Sequence, residues 1–324
     1  MPDTSFHPLI SVVIVNYNGK KYLGDCLDSL FCEKTPSFEV ILIDNASRDG
    51  SVEWVRQNFP AVKIVIQKSN LGFAQGTNAG IREAAGSFIF TLNNDTRVTP
   101  GCMDELLKPM VQDPLVGMCA SKMLLLDGRI NSTGICISRS GAAWDRGIFE
   151  EDHGQYDHKE EVFGACAGAA LYRKTMLDQI GLFDEDFFLF MEDVDLAFRA
   201  QLAGWKCIYV PDARIIHKHG GTAGVNSDLS VYYGNRNVVW TVFKNFPVTV
   251  LLTSLPWIIG RNIGVIPYYA LRGQALVILR AKFDAVKGLR SVIRKRAGTK
   301  NKAGDREIAR WIRTWGFGSC AMKR

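Results

Sequence analysis

Four short apolar runs, each closed by a polar cluster, limit what this chain can fold into. Leu9 to Val15 reads L-I-S-V-V-I-V and ends in Asn16-Tyr17-Asn18-Gly19. Glu39 to Ile43 ends in D-N-A-S-R-D-G-S, Asp44 to Ser51. Val62 to Gln67 runs on into N-L-G-F-A-Q-G-T-N-A-G-I, Asn70 to Ile81, and Phe88 to Leu92 is closed by N-N-D-T, Asn93 to Thr96. Continuous apolar runs of this length suit parallel strands buried on both faces. Helical segments separate them, with Asp49 or Ser51 expected to cap the second. Strand alternating with helix is the signature of an open, mostly parallel, Rossmann-like α/β sheet. In such sheets ligands bind beyond the carboxyl ends of the strands, so all four clusters belong on one functional edge.

A dinucleotide cofactor has little support, because no G-x-G-x-x-G follows the first strand. The strand ends offer Asp44, Asn78, Asn93, Asn94 and Asp95 instead. Carboxylates and amides suit base edges and ribose hydroxyls. Asp95 suits a divalent cation, since Mg²⁺ and Mn²⁺ favour carboxylate oxygens and nucleotide phosphates. A plain polar turn is the competing reading of N-N-D-T.

Phe183 to Thr222 carries a second concentration of chemistry. An aromatic run delivers Glu192 and Asp193 to the start of a short helix whose Val194, Ala197, Phe198 and Leu202 fall on one stripe. Asp195 is spaced to pair with Arg199 one turn on, and Gly204 suits the helix stop. A strand from Lys206 to Val210, a Pro211-Asp212 turn and a second strand ending at His217 follow. Acid-rich first turns are commonly dipole partners only, so this pair alone does not separate a cap from a catalytic site.

Taken in order, S-V-V-I-V-N-Y-N, D-N-A-S-R-D-G-S, N-L-G-F-A-Q-G-T-N-A-G, L-N-N-D-T, G-A-C-A-G-A-A-L-Y-R-K, G-L-F-D-E-D-F-F-L-F-M-E-D-V-D-L-A-F-R and H-K-H-G-G-T all fall within residues 9 to 240. The ordered set resembles the inverting glycosyltransferase family 2, of GT-A fold, and within it the bacterial rhamnosyltransferases of cell-surface polysaccharide assembly. The resemblance implies that Val15, Tyr17 and Asp44 hold the base of a nucleotide-sugar donor, that Asn78 lines its pocket and that Asn94 lies near the ribose. It implies Asp95 and His217 as ligands of a divalent cation (Mg²⁺ or Mn²⁺), Asp193 as catalytic base and Glu192 as an acceptor contact. His219 is assigned a structural role. Asn93-Asn94-Asp95 departs from the family's D-x-D pattern, leaving two positions uncharged.

Inverting transfer is a single displacement, in which a carboxylate takes the proton of the attacking hydroxyl and a cation neutralises the leaving diphosphate. The implied reaction moves L-rhamnose from dTDP-rhamnose to a polyprenyl-linked glycan. A UDP- or GDP-hexose donor is the alternative within the class, and a non-catalytic nucleotide- or glycan-binding subunit the alternative outside it.

Two regions stand outside these motifs. Residues 127 to 162 read as loop, either a mobile flap or a solvated surface segment. Gly164 to Ala170 is small and tight, which suits either backbone passing close to a sugar or plain close packing. The catalytic domain is expected over residues 1–240, and a helical, basic, membrane-associated region over 241–324. Tyr232 to Trp240 reads as helical, with Arg236 a possible phosphate contact. Pro247 to Arg272 carries apolar runs broken by Pro256, Arg261 and Pro267, each too short to span a bilayer but suited to a helix pair in the interface. A buried helical hairpin is the alternative. From Arg272 onward fifteen Lys/Arg face three Asp/Glu, whereas the chain as a whole carries only +6. That excess points to an anionic membrane surface. Nucleic acid is excluded as a partner, because the tail lacks aromatic interleaving and any recognisable module. The eight cysteines include no C-x-x-C and read as buried free thiols. With no signal-peptide pattern at the N-terminus, the expected location is cytoplasmic, peripheral on the inner membrane's cytoplasmic face.

Overall fold

The computed structural model describes residues 8–218, 227–296 and 303–313. The elements run β1 (Ile10–Asn16), α1 (Lys20–Phe31), β2 (Phe38–Asp44), α2 (Ser51–Asn58), β3 (Lys63–Ile66), α3 (Gly72–Arg82), β4 (Phe88–Asn93), β5 (Thr96–Val98) and α4 (Cys102–Gln112). They continue with β6 (Val116–Leu125), β7 (Ile130–Ser132), β8 (Ile135–Ser138), β9 (Ala143–Asp145), β10 (Glu160–Val162), β11 (Ala169–Arg173), α5 (Lys174–Ile180), α6 (Glu192–Leu202) and β12 (Lys206–His217). Three long helices, α7 (Asp228–Asn245), α8 (Val248–Ala270) and α9 (Ala275–Arg296), precede a short α10 (Asp305–Ala309) and β13 (Ile312–Arg313).

The main sheet has the order β10-β12-β6-β11-β4-β1-β2-β3. Its β3-β2-β1-β4 half is parallel throughout, and β11 runs antiparallel between β4 and β6. This is the mixed α/β architecture that the apolar runs imply. Successive residues of each strand bury on opposite faces. Val13, Ile41 and Ile43 join one core with α3 and α6, while Val12, Ile14, Val40 and Leu42 join another with α1 and α4. Register sets Asn16 beside Asp44 and Val15 beside Asn93, so the three strand ends finish level at one edge.

Several expectations change. The segment from Lys206 to His217 is one strand, not two. Its register shifts between Val210 and Arg214, which absorbs Pro211 and Asp212 as a bulge. Residues 127 to 162 are not a free loop, because they contain β7 to β10. The buried Lys122 ties them to the body through Asp152 at 2.7 Å and Asp157 at 2.6 Å. Gly50, in the left-handed conformation, is the N-cap of α2, and Asp49 reaches past it to accept the Ser51 N–H at 3.1 Å. Cys136 is disulfide-bonded, which corrects the reading of all eight cysteines as free thiols. His219 and the end of H-K-H-G-G-T lie outside the described residues.

The largest difference is at the C-terminus. Pro247 to Arg272 does not break into short pieces, since α8 is one helix of 23 residues containing Pro256 and Pro267. It is long and apolar enough to cross a membrane by length and composition, with only 17% of its apolar window buried. Nor is it a buried hairpin. Val248, Leu252, Trp257, Ile259, Ile263 and Tyr268 are exposed on α8, as are Leu276, Leu279, Phe283 and Val286 on α9.

Candidate active site

The edge formed by β1, β2 and β4 is held by Asn16. Its Nδ2 donates to Asp44 Oδ1 at 3.1 Å and to the hydroxyls of Ser47 and Ser51, and its Oδ1 accepts from Asn94 Nδ2 at 2.8 Å. Asp44 is buried and also accepts the Ser47 N–H at 2.9 Å. Asp44 and Asn94 are thus joined through one amide. Val15 is half-buried beside them, and Tyr17 is 37% exposed. Asn78 faces elsewhere. It donates to Phe183 O at 2.8 Å and Glu185 Oε1 at 3.0 Å, and accepts the Phe183 N–H at 3.0 Å. Its amide fixes the segment that leads to α6.

That segment is strained. Phe188, Phe190 and Met191 all have positive φ, at 64°, 65° and 70°. Non-glycine residues persist there only where their surroundings over-determine them. Asn237 on α7 does much of this, donating to the carbonyls of Phe187, Leu189 and Phe190 at 2.7 to 2.9 Å. The Phe188 carbonyl accepts the Phe73 N–H at 2.7 Å, and a Cβ at Gly72 would come within 2.4 Å of that oxygen. Glycine is required at 72 for this approach.

The loop delivers Glu192 and Asp193 to the first turn of α6. Asp193 accepts the N–H of Ala167 at 3.2 Å and of Val194 at 2.8 Å. Glu192 is only 5% exposed and its Oε2 has no hydrogen-bond partner. Burial lifts both carboxyls above the ordinary range, Glu192 well above it, and the neighbouring Asp193 charge raises Glu192 further. Asp193 is the more open of the two and is stabilised by two amides. The pair therefore divides, with the proton held on Glu192 and the charge on Asp193. Behind them Asp195 is the opposite case. Lys244 at 2.8 Å, Arg199 at 2.9 Å and Asn245 at 2.8 Å surround its carboxylate and hold it well below the usual range, despite its burial.

Asp95 and His217 meet across the β5–β12 pairing. Asp95 Oδ1 lies 3.1 Å from His217 Nε2, and Nδ1 of the same ring lies 2.6 Å from Asn131 Oδ1. An oxygen at Nδ1 calls for a proton on that nitrogen. Nε2 is then the ring atom that faces the carboxylate oxygen, and an imidazole nitrogen beside a carboxylate is a donor set that suits a cation placed between them. Among the described residues no third His, Cys, Asp or Glu completes a cluster.

Asn16, Asn131, Asn237 and Asp145 belong to this site although motif reading did not single them out. Asp145, on β9, is close enough to Asp193 and His217 to respond to both charges. Burial, reinforced by the Asp193 charge, pushes its carboxyl up to about 6. Only Asn16 carried a legible signal, as an amide ending an apolar strand.

Residues 11–181 match the family described as Glycosyl transferase family 2. The chain is 29% identical over 239 residues to the N-acetylglucosaminyl-diphospho-decaprenol L-rhamnosyltransferase of Mycobacterium tuberculosis, covering 67% of this chain and 78% of that one. It is 25% identical over 223 residues to the O-antigen biosynthesis protein RfbC of Myxococcus xanthus, covering 65% of this chain and 17% of that longer protein. Among solved structures it resembles GalNAc-T7 with UDP, GalNAc and Mn²⁺, with a TM-score of 0.60 and 17% identity over 76% of this chain and 49% of that one. It also resembles the mannosyltransferase PcManGT from Pyrobaculum calidifontis with GDP-Man and Mn²⁺, with a TM-score of 0.55 and 18% identity over 92% and 86%. The fold is GT-A.

Proposed function

The chain belongs to glycosyltransferase family 2, and we propose that it transfers L-rhamnose from dTDP-rhamnose, with inversion, to a hydroxyl of a lipid-linked cell-surface glycan. One observation carries the reaction class. A half-open carboxylate, Asp193, sits against a buried acid at a helix start, on the sheet edge that also holds Asp44 and the Asp95–His217 pair. The likeness to a mycobacterial rhamnosyltransferase supports the donor and a diphospho-polyprenol acceptor.

In this reading Asp44, Val15, Tyr17 and Asn94 receive the nucleotide at the ends of β1, β2 and β4. Asn78 enters as a positioning residue, because its amide is committed to Phe183. Asp193 takes the acceptor proton as the hydroxyl oxygen bonds to the anomeric carbon and the bond to the diphosphate oxygen breaks. A raised pKa makes it a stronger base. Glu192, sealed behind it, keeps its proton, and its burial leaves it little access to glycan hydroxyls. Asp95 and His217 would hold a divalent cation, which when bound neutralises charge on the leaving diphosphate.

Residues 1–240 form the catalytic unit in this proposal, and 241–324 the part that rests on the membrane. The exposed apolar residues of α8 and α9 adjoin Arg272, Arg280, Lys287, Arg290 and Arg294, an arrangement suited to an anionic interface. A hydrolysis screen over purified nucleotide sugars tests the donor. dTDP-rhamnose should be consumed fastest, and faster turnover of a UDP- or GDP-hexose would replace the sugar while keeping the reaction.

A further inference from the structure

At the junction of α7, α8 and α9 lie two cations that pair with no carboxylate among the described residues. Lys282 on α9 donates to the Asn235 carbonyl of α7 at 3.1 Å and to Asn262 Oδ1 of α8 at 2.6 Å, both neutral acceptors. Arg261, one residue before Asn262, has a buried Nη1 with no hydrogen-bond partner. Among the described residues neither cation is in an ion pair, although the chain forms many elsewhere. The acids at hand are committed. Asp284 accepts from Tyr232 Oη at 2.6 Å and Asp228 accepts from Gln274 at 2.8 Å. Burial and the nearby Arg261 charge pull the Lys282 ammonium down to about 7. Even a half-buried charge is costly without a counter-charge, and the catalytic reading has no use for either residue.

We propose that Arg261 and Lys282 form a binding site for the phosphate or diphosphate group of a lipid. A guanidinium fork beside an ammonium matches phosphate oxygens in shape and charge. A lipid is favoured over a soluble anion by what flanks the pair. Trp257, Ile259 and Ile263 are exposed on α8 around Arg261, and Leu279 and Phe283 are exposed on α9 around Lys282. An anion seated here has apolar surface beside it for an acyl or prenyl chain. The inference deepens the lipid-linked acceptor reading and rests on it only for the class of lipid.

Co-sedimentation of the full-length protein tests it, using phosphatidylcholine vesicles doped with phosphatidic acid, a phosphate monoester, or with phosphatidylserine at matched surface charge. The wild type should prefer phosphatidic acid by about tenfold, roughly one decade in Kd. Arg261→Gln and Lys282→Met should each lower that binding to the phosphatidylserine level. Lys282→Met removes an unpaired charge and keeps the stem, so it should fold, with a melting temperature that reports the loss of its bonds to Asn235 and Asn262. Donor hydrolysis should be unchanged in both variants, which separates failure of this site from failure of the glycosyltransferase reading. Equal binding of the wild type to both vesicles, or a preference that survives both substitutions, overturns the proposal. Stabilisation by inorganic diphosphate without any vesicle preference would assign the pair to a soluble anion and overturn the lipid.

Discussion

Replacing Glu192 by Gln and Asp193 by Asn separates a catalytic pair from an ordinary acidic helix cap, because the two accounts give opposite signs for stability. As a dipole partner, a first-turn carboxylate stabilises a helix by about 0.3–1 kcal/mol, and Glu192→Gln would lose that much. Glu192 is sealed, however, with one oxygen unpartnered and its pKa raised well above the ordinary value. A folded-state pKa above the unfolded one means that the native protein binds the proton more tightly. Wild-type stability is then complete below the unfolded pKa of about 4.3 and falls as pH rises toward the folded value, by about 1.4 kcal/mol per pH unit. Gln mimics the protonated acid and escapes this loss, and a single unit of elevation already outweighs the dipole. Glu192→Gln should therefore raise the denaturation midpoint at pH 8, with the gain vanishing near pH 4. Its transfer activity should stay within about tenfold of wild type, whereas Asp193→Asn should lose two to four orders of magnitude, about 2.7–5.4 kcal/mol of barrier, with nucleotide affinity retained. Urea unfolding at the two pH values and single-turnover transfer measure these effects. A Glu192→Gln protein less stable than wild type at pH 8 would refute the burial argument. An Asp193→Asn enzyme above a tenth of wild-type rate would remove Asp193 as base.

Asp95→Ala and His217→Ala should each weaken cation-dependent donor binding by calorimetry, and turnover in excess chelator equal to that with Mg²⁺ or Mn²⁺ would dismiss both as ligands. Asp195→Asn leaves Lys244 and Arg199 without their shared carboxylate, so chemical denaturation should report a loss of roughly 3–5 kcal/mol, the usual cost of breaking a buried pair; a loss under about 1 kcal/mol would show that the network is not structural. Because salt screens charge and not apolar burial, raising ionic strength should release the protein only partly from anionic vesicles. Serine at Leu276, Leu279 and Phe283 should complete that release, and complete release by salt alone would leave the apolar face without a role.

The parallel half of the sheet was legible because each of its strands is a continuous apolar run, and a strand buried on both faces must be written that way. The acidic start of α6, the Asp195–Arg199 pair and the Gly204 stop were legible because helix chemistry is local. What escaped depends on partners far away in sequence. Residues 127 to 162 look like loop because their polar side chains are satisfied by Lys122, outside the segment, and by Arg146, which reaches Thr133 within it, and no spacing rule connects these partners. Asp145 reads as one acid among many until β9 carries it next to Asp193. The C-terminal region misled in a different way. Prolines at 256 and 267 mark breaks in a soluble helix because each removes a backbone hydrogen bond, yet α8 runs through both. Solvent-exposed water-soluble helices rarely tolerate that, whereas helices in apolar surroundings do. The continuity of α8 through two prolines, like its exposed apolar residues and the basic side chains around it, is compatible with the proposed lipid interface, although α4 also carries an internal proline, Pro109, within the catalytic body.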